Sequence, residues 1–583
     1  MHTSRRGWLF AALLALLMAG CAAPPAIMER LTEREPGELL ARAEQQAPAE
    51  AARSRLEAAD ILARRGDATQ ALDVASRLDD RRLDGEARVR WALLLSALGI
   101  QLDDANSVLQ AAQTLDDDLP FTPDQRLTLR QRQGQALAGL GEHAAAAEAL
   151  LAVQAETGDE GLNDTLWSLL SRLDERTLAG LGEDRLTLGW RELVAVQRGS
   201  GGDIERLFER LDAWRGRHGG HPAARSLPGD LLALRDLRGQ EVRHIAVLLP
   251  ESGPLANLAK EIRRGLEARQ REAEQEGIRV PRLSFIDASH GDLDALYAAA
   301  TMAGAQAVIG PLDKDQVTRL EGRDSVPLPT LALNYGNNAE NRAANLFQYG
   351  LSAEDEARQV ARRAHADGHR RAAMLIPGNE WGNRVGRAFE REWQAQGGEL
   401  TQVVNYNPNG SATDGARRAA AGRPDMLFLL AIPSYARQVP PNLEFIGVDR
   451  LPIYGTSQLY EGRPQPRVDH DLDGVMFVEI PWLIPDAAVG GEEVLPFLGS
   501  YQRLRESEDP GLLKLGAMGV DAFELGRRLP QLQVLGGSEI PGATGSLRPA
   551  ADGRIQRELP WARFEGGVPQ LPLLNRFDDG RAR

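Results

Sequence analysis

His244-Ile245-Ala246-Val247-Leu248-Leu249-Pro250 marks the point where a helical pattern gives way to an α/β pattern. This continuous apolar run has the length of a strand, and such runs are typical of parallel strands that helices cover on both faces. The loop Glu251-Ser252-Gly253-Pro254 follows it and leads into a helical stretch over residues 257–276. The run therefore predicts the first strand of a helix-covered sheet.

Strand-like and helix-like segments alternate along the rest of the chain. The predicted strands cover residues 283–287, 307–309, 330–334, 372–376, 400–405, 426–430, 453–456 and 474–478. The predicted helices include residues 292–302, 354–366, 383–396, 497–506 and 514–529. This alternation predicts a doubly wound α/β fold, and its length favours two lobes.

The region before this run is predicted to be helical. Only six prolines lie between Ala26 and Gln240, whereas 25 lie from Glu241 onward, and proline is excluded from helix interiors. A Leu-x-x-x-Gly motif is followed by an alanine in three places, at Gly66 with Ala71, Gly99 with Ala105, and Gly141 with Ala146. A left-handed glycine would end each first helix, and the alanine would let the second helix pack closely.

The repeat predicts the architecture of this half. Its glycines lie 33 and 42 residues apart, which brackets the tetratricopeptide period of about 34 residues. We therefore predict a tetratricopeptide-like α-solenoid at residues 21–239, with an irregular helical bundle as the alternative. The bilobed α/β domain is placed at residues 240–583. The predicted fold class is thus multidomain, α followed by α/β.

The first twenty residues are predicted to be a lipoprotein signal peptide. A basic start at residues 5–6 precedes an apolar run over residues 8–18, which is too short to span a bilayer. The junction Met18-Ala19-Gly20-Cys21 resembles a bacterial lipobox, in which cleavage after Gly20 leaves Cys21 as the acylated first residue. More than one acyl chain on Cys21 would give stable membrane anchoring.

The residues on either side of this junction indicate the route by which the protein is exported and the membrane in which it is anchored. Residues 4–9 also resemble a twin-arginine signal, although the basic start of an ordinary signal peptide is the favoured interpretation. Ala22 follows the cysteine, and aspartate at that position would favour the inner membrane. We therefore expect the outer membrane.

Composition excludes two classes of protein. The 583 residues carry 68 Lys and Arg against 83 Asp and Glu, a net charge of −15, which argues against nucleic-acid binding as the main role. With a single cysteine, neither an intramolecular disulfide nor a metal site of several thiolates can form.

Enzyme signatures are also missing. The sequence contains no G-x-x-x-x-G-K-[ST], S-x-x-K, G-x-S-x-G or H-E-x-x-H motif, so neither catalysis nor a cofactor is predicted. His365 and His369 are spaced like helix-borne metal ligands, but Gly368 lies between them and no third ligand follows. We interpret them as residues of a helix end. Residues 378–386 are interpreted as a strand-to-helix turn, with an anion cradle as the alternative.

Several motifs along the chain follow one another in an order that resembles a known family. Residues 245–254 resemble the first strand and loop of a type I periplasmic-binding-protein domain, and Ala307-Val-Ile-Gly-Pro311 resembles its third strand and turn. Further motifs lie at residues 163–167, 221–223, 451–457, 518–522 and 542–557. Taken with the lipobox and the helical half, they resemble the LpoA family of outer-membrane lipoproteins over nearly all of the mature chain.

The resemblance implies a function. It implies a non-enzymatic lipoprotein, anchored by its lipid on the periplasmic side of the outer membrane. Such a protein binds and activates a class A penicillin-binding protein of the 1A type, stimulating peptidoglycan synthesis and cross-linking. The alternative is a lipid-anchored periplasmic receptor for amino acids or cell-wall fragments, and a wall-degrading enzyme is a third possibility. The fused helical half favours the activator, because a transport receptor does not need it.

Loops at the carboxyl ends of the strands form the ligand cleft of open α/β folds. The candidate cleft residues are Ser252, Gly253, Gly310, Asn334, Tyr335 and Ser457. They could bind a small molecule or belong to a docking surface. The second interpretation is favoured, because no charged clamp for the two termini of an amino acid accompanies them.

Overall fold

The computed structural model describes residues 35–290, 292–338, 340–448, 450–505, 509–534 and 539–572. The predicted signal peptide, its cleavage site and the lipidated Cys21 lie outside these residues. By their contacts, the described residues form two compact units. The first unit comprises the described chain up to Val196 together with Ala213–Pro228. The second comprises Gln197–Asp212 together with the described chain from Gly229 onward. None of the described helices has both the length and the apolar composition that crossing a membrane requires.

The first unit is built from helical hairpins that pack against their neighbours in the chain. Apolar residues of successive helices share one core, among them Leu56, Trp91, Leu95 and Leu129. This arrangement is the predicted tetratricopeptide-like α-solenoid. The helices before residue 229, in chain order, are α1 (Pro36–Ala43), α2 (Pro48–Arg65), α3 (Ala68–Ser76), α4 (Gly85–Gln101), α5 (Ala105–Ala112), α6 (Pro123–Gly139), α7 (His143–Thr157), α8 (Asn163–Leu170), α9 (Glu175–Gly180), α10 (Arg185–Gly199), α11 (Ile204–Arg217) and α12 (Pro222–Arg225). The end of α10 and most of α11 belong to the second unit.

Two of the three repeat glycines end a helix as predicted. Gly66 and Gly141 follow α2 and α6 with φ angles of 90° and 79°, the left-handed conformation that glycine adopts without a steric penalty. The prediction for Gly99 is wrong, because this residue lies inside α4. A Cβ atom at Gly99 would stand 2.6 Å from Cγ2 of Val108 in α5. Glycine is required there for close packing of two helices.

The second unit alternates strands and helices. Its strands are β1 (His244–Leu249), β2 (Arg282–Asp287), β3 (Ala307–Ile309), β4 (Ser325–Ala332), β5 (Ala344–Gln348), β6 (Arg371–Pro377), β7 (Glu399–Tyr406), β8 (Met426–Leu429), β9 (Ile453–Gly455), β10 (Met476–Val478), β11 (Ile540–Gly542), β12 (Gly545–Pro549), β13 (Ile555–Glu558), β14 (Trp561–Glu565) and β15 (Val568–Gln570). Its helices are α13 (Gly229–Arg235), α14 (Ala256–Gln275), α15 (Leu293–Met302), α16 (Lys314–Glu321), α17 (Ala353–Ala366), α18 (Glu380–Ala395), α19 (Ala412–Ala421), α20 (Pro433–Ala436), α21 (Val439–Phe445), α22 (Pro466–Asp469), α23 (Pro485–Val489), α24 (Leu498–Leu504), α25 (Pro510–Arg527) and α26 (Leu529–Val534).

The first lobe of this unit is a five-stranded parallel sheet, in the order β2-β1-β3-β4-β5, with its helices. Every residue of β1 is buried. Ile245, Val247 and Leu249 pack into the core on one face of the sheet, while Ala246 and Leu248 pack into the core on the other. The apolar run that begins the domain is therefore continuous because both of its faces are covered, as predicted.

The second lobe contains a seven-stranded sheet in the order β15-β14-β10-β9-β8-β6-β7. Its strands are parallel except at one edge, where β14 runs antiparallel to β10 and β15 antiparallel to β14. A separate three-stranded antiparallel sheet consists of β11, β12 and β13. The two lobes confirm the predicted α/β fold of the periplasmic-binding-protein type.

Six strands, β5 and β11 to β15, were not predicted. In β13 and β14 buried and exposed residues alternate, and the exposed positions carry side chains such as Gln556 and Arg563. Antiparallel strands with one solvated face lack the continuous apolar run by which the parallel strands are recognised.

The second unit includes residues 197–212 because their polar groups are paired within it. Asp203 accepts hydrogen bonds of 3.2 Å from Nε and Nη2 of Arg279. The carbonyl oxygen of Gly201 accepts one of 2.9 Å from Nη2 of Arg528. The compact unit thus contains residues upstream of 240, and the domain boundary between residues 239 and 240 stays a prediction.

Candidate functional site

A cleft of about 1240 Å³ opens between the two lobes of the second unit. The first lobe contributes the loop after β4 and the start of α16, and the second lobe contributes α17 and α18. Strands β12 and β13 complete the wall. Ligand sites of α/β proteins occupy such positions between lobes, so this cleft is the candidate site.

Two of the six predicted cleft residues line this cleft, Asn334 and Tyr335. Both are engaged in internal hydrogen bonds. Nδ2 of Asn334 donates to the carbonyl oxygen of Leu312 at 3.1 Å, and the Tyr335 hydroxyl donates to the carbonyl oxygen of Ile555 at 2.7 Å. Burial raises the pKa of Tyr335 above its ordinary range. These two residues therefore hold the wall of the cleft together.

The other four, Ser252, Gly253, Gly310 and Ser457, are not among the residues that line it. Gly310 approaches β1 so closely that a Cβ atom would stand 2.2 Å from the carbonyl oxygen of Leu248. The backbone N–H of Ser457 donates to Glu356 at 2.9 Å. The role predicted for these residues as a ligand site stays a prediction.

The turn at residues 378–386 positions part of the wall. The Asn379 side chain accepts a hydrogen bond of 2.7 Å from the backbone N–H of Gly382 and so caps α18. Capping fixes the first turn of the helix, from which Trp381 and Arg384 line the cleft. The turn interpretation agrees with this geometry.

The charge of the cleft is opposite to that of the chain. Nine lysine and arginine residues line it against six aspartate and glutamate residues, whereas the whole chain has a net charge of −15. Each of the six carboxylates forms an ion pair with an arginine of the cleft, at up to 3.9 Å. The pairs are Arg358 with Asp355, Arg384 with Glu354, Arg362 with Glu392 and Glu558, Arg548 with Glu539, and Arg554 with Asp552.

In the pair of Glu354 with Arg384, burial and ion pairing change the pKa of the carboxylate in opposite directions. Partial burial is the largest single influence and raises the pKa of Glu354, but the hydrogen bond of 2.9 Å from Arg384, a backbone hydrogen bond and the charge of Arg384 together outweigh it and lower the pKa. Lys314 adds to the same effect through its charge. The carboxylate of Glu354 is therefore held in its charged form by its pairing with Arg384.

Three exposed cations of the cleft have no carboxylate within 4 Å in the described part of the chain. They are Lys314, the first residue of α16, and Arg387 and Arg391, one turn apart on α18. Sequence reasoning missed them because Lys314 and α18 meet only in the folded unit. The spacing of Arg384, Arg387 and Arg391, at i, i+3 and i+7, is the signal that could have identified one basic helix face.

Arg557 lies deeper in the same cleft. Its side chain is 1% exposed, and its Nη2 atom is 3.6 Å from Oε1 of Glu356. Glu356 in turn accepts the hydrogen bonds of Ser457. In the described residues, Nη2 of Arg557 donates no hydrogen bond.

Neither histidine of the predicted helix end has a ligand geometry. The His365 ring lies edge-on against Trp393, and Nε2 of His369 is 3.2 Å from the Tyr454 hydroxyl. Within the described ranges, no group of three or more His, Cys, Asp or Glu side chains could hold a metal ion.

The chain matches a family model described as "LppC putative lipoprotein" over residues 35–567. Two relatives are both named penicillin-binding protein activator LpoA. The protein from Glaesserella parasuis is 26% identical, with 95% of each chain covered. The protein from Escherichia coli K12 is 25% identical, covering 95% of this chain and 96% of the relative.

Two solved structures share the fold. Haemophilus influenzae LpoA in a monoclinic form superposes with a TM-score of 0.54 at 23% identity, covering 93% of this chain and 98% of that chain. A structure of full-length LpoA from the same organism gives a TM-score of 0.52 at 23% identity, covering 92% and 98%. The likeness therefore extends over both units.

Proposed function

The chain belongs to the LppC lipoprotein family, and on that premise we propose that it activates a class A penicillin-binding protein of the 1A type. Activation would stimulate peptidoglycan synthesis and cross-linking by that enzyme. The observation that carries the proposal is the family match over residues 35–567. That match spans both units, and relatives of which at least 95% is covered are named for this activity.

The proposal includes a location. The lipobox ending at Cys21 would place acyl chains on the mature N-terminus, and Ala22 favours the outer membrane over the inner one. Two or more acyl chains suffice for stable anchoring without a membrane-spanning helix. The helical unit would then extend from the membrane toward a synthase at the inner membrane.

Activation is proposed to occur without catalysis by this chain. A protein that binds the active and inactive conformations of an enzyme equally tightly shifts no population. The chain must therefore bind the active conformation of the synthase more tightly, by about 1.4 kcal/mol for every tenfold shift in population.

A binding experiment separates this function from the receptor alternative. The full mature chain would be immobilised and tested with the purified class A synthase of the same bacterium, and with free amino acids. We expect saturable, stoichiometric binding of the synthase. Tight binding of an amino acid without any binding of the synthase would support the receptor instead.

A further inference from the structure

We infer that the interlobe cleft binds a ligand that carries several carboxylate groups and is larger than a single amino acid. The inference deepens the proposed function and rests on it only for the choice of probe. The charges and the size of the cleft are properties of this chain and do not depend on which enzyme it binds.

The first argument is electrostatic. Lys314, Arg387 and Arg391 line one cavity without a carboxylate within 4 Å in the described residues. Every carboxylate that lines the cleft is paired with an arginine, and none of them forms an ion pair with these three cations. A cleft lined by charges of one sign raises the local concentration of ions and ligands of the opposite sign. An anionic ligand would supply the missing counter-charge and gain charge-assisted hydrogen bonds.

The second argument is a buried donor. Arg557 lines the cleft, its side chain is 1% exposed, and its Nη2 atom donates no hydrogen bond in the described chain. Buried polar groups are almost always hydrogen-bonded, and each exception needs an explanation. Within the described residues the guanidinium of Arg557 is paired only with Glu356, at 3.6 Å, so a carboxylate in the cleft would add counter-charge beside a buried arginine.

The third argument is size. Clefts for drug-sized ligands measure about 300–1,000 Å³, and this one measures about 1240 Å³. A free amino acid would leave most of it empty. The cations stand on both lobes, with Lys314 on α16 and the two arginines on α18, so one ligand with spaced carboxylates would contact both walls. The half-buried Trp381 offers an apolar surface beside them.

A soluble cell-wall fragment has this chemistry, because its peptide stem carries several free carboxylates. The experiment is calorimetry of the full mature chain with a purified disaccharide-tetrapeptide muropeptide. Two parallel titrations serve as comparisons. One uses the same fragment with its carboxylates amidated, and the other uses inorganic pyrophosphate. We expect saturable binding of the acidic fragment only, weakening as sodium chloride rises from about 0.05 to 0.5 M.

A double variant tests the site. Arg387→Gln with Arg391→Gln removes two exposed side chains without an ion pair in the described structure, so folding should be unaffected. We expect the affinity for the muropeptide to fall at least about tenfold, the usual effect of losing a charge-assisted hydrogen bond. The matched control is Arg417→Gln on α19, an exposed arginine outside the cleft and without an ion pair among the described residues, which should bind like the unchanged chain.

Four results would overturn the inference. Three of them are no binding of the muropeptide at millimolar concentration, equal binding by the double variant, and equal binding of the amidated fragment. Preferential binding of pyrophosphate would replace the carboxylate by a phosphate ligand and would likewise contradict it. Since the measurement contains no synthase, its failure is distinguishable from failure of the proposed activation.

Discussion

His221 shows how one side chain can make the helical unit sensitive to pH. Its Nε2 is 3.1 Å from the carbonyl oxygen of Leu186, and its Nδ1 accepts a hydrogen bond of 3.1 Å from the backbone N–H of Ala223. The bond from Ala223 requires an unprotonated Nδ1, so the ring is neutral and carries its proton on Nε2, which donates to the carbonyl oxygen of Leu186. The ring also packs against Trp190 and Trp214. Burial lowers the pKa of His221 to about 4.

The shift predicts a loss of stability on acidification. Because the pKa of His221 in the folded chain lies below its ordinary value of 6.5, the unfolded state binds the proton more readily between pH 6.5 and pH 4. The stabilisation is complete above pH 6.5 and is lost as the pH falls to 4, by up to about 3 kcal/mol.

Hydrogen exchange in α10 to α12 measures this effect. Protection there should fall between pH 7 and pH 4.5 in the unchanged chain, after correction for the intrinsic exchange rate. A His221→Gln variant should lose this pH dependence. An equal loss of protection in both proteins would show that His221 is not the group responsible.

Glu524 carries a second residue-scale effect in the α/β unit. This fully buried carboxylate accepts hydrogen bonds from Nε of Arg269 at 2.7 Å and from Nη2 of Arg527 at 2.6 Å, and it also pairs with Arg528. Burial alone would raise the pKa of Glu524, but the three guanidinium groups lower it to about 2. The network joins α14 to α25.

Removing this charge should be strongly destabilising. Glu524→Gln leaves buried guanidinium groups without their counter-charge, which costs about 3–5 kcal/mol. The control is Asp414→Asn, which removes a solvent-exposed pair with Arg418 and should cost less than about 1 kcal/mol. The midpoint of urea unfolding of the α/β unit measures both. Equal midpoints for the two variants would contradict the assigned role of the network.

At the scale of elements, the packing of α4 on α5 depends on Gly99. Gly99→Ala would place a methyl group 2.6 Å from Cγ2 of Val108 and 2.9 Å from the carbonyl oxygen of Asp104. Overpacking of this kind costs about 1–3 kcal/mol. We therefore expect a lower melting temperature for the helical unit.

The matched control for Gly99 is another helical glycine. Gly139 lies in the last turn of α6, and a Cβ atom there would meet nothing within 4 Å. Gly139→Ala should be neutral or stabilising by up to about 1 kcal/mol, because alanine loses less backbone entropy on folding. If both variants lowered the melting temperature equally, close helix packing at Gly99 would not be the cause.

Prediction from sequence succeeded where local pattern and tertiary environment agree. The strand at residues 244–249 is apolar throughout because helices cover both faces of its sheet. Strands β11 to β15 escaped detection because one face is solvated and their apolar residues are few. Gly99 was misassigned because its motif resembles a helix end, while the neighbouring Val108 determines its role.

The cleft was predicted only in part for a related reason. Asn334 and Tyr335 follow a parallel strand, so topology alone places them at the edge of the cleft. Lys314 and Arg387 come from helices on different lobes, and no local pattern brings them together. The pairing of carboxylates with arginines likewise depends on contacts in the folded chain, and a single sequence does not reveal these contacts.

At the scale of the whole molecule, the two units suggest a division of roles. In the sequence, the helical hairpins follow the predicted lipid anchor at Cys21, and the bilobed unit carries the charged cleft. A Cys21→Ala variant exported to the periplasm should retain both folds but should lose membrane association. Fractionation of cell envelopes measures this, and a variant that still sediments with outer membranes would contradict lipid anchoring.

The most direct test of the proposed function is the initial rate of peptidoglycan cross-linking by the purified class A synthase of the same bacterium. The rate would be measured with increasing amounts of the full mature chain. We predict an increase of several-fold that saturates near one chain per synthase, with no cross-linking by the chain alone. An unchanged rate at saturating chain would contradict the account.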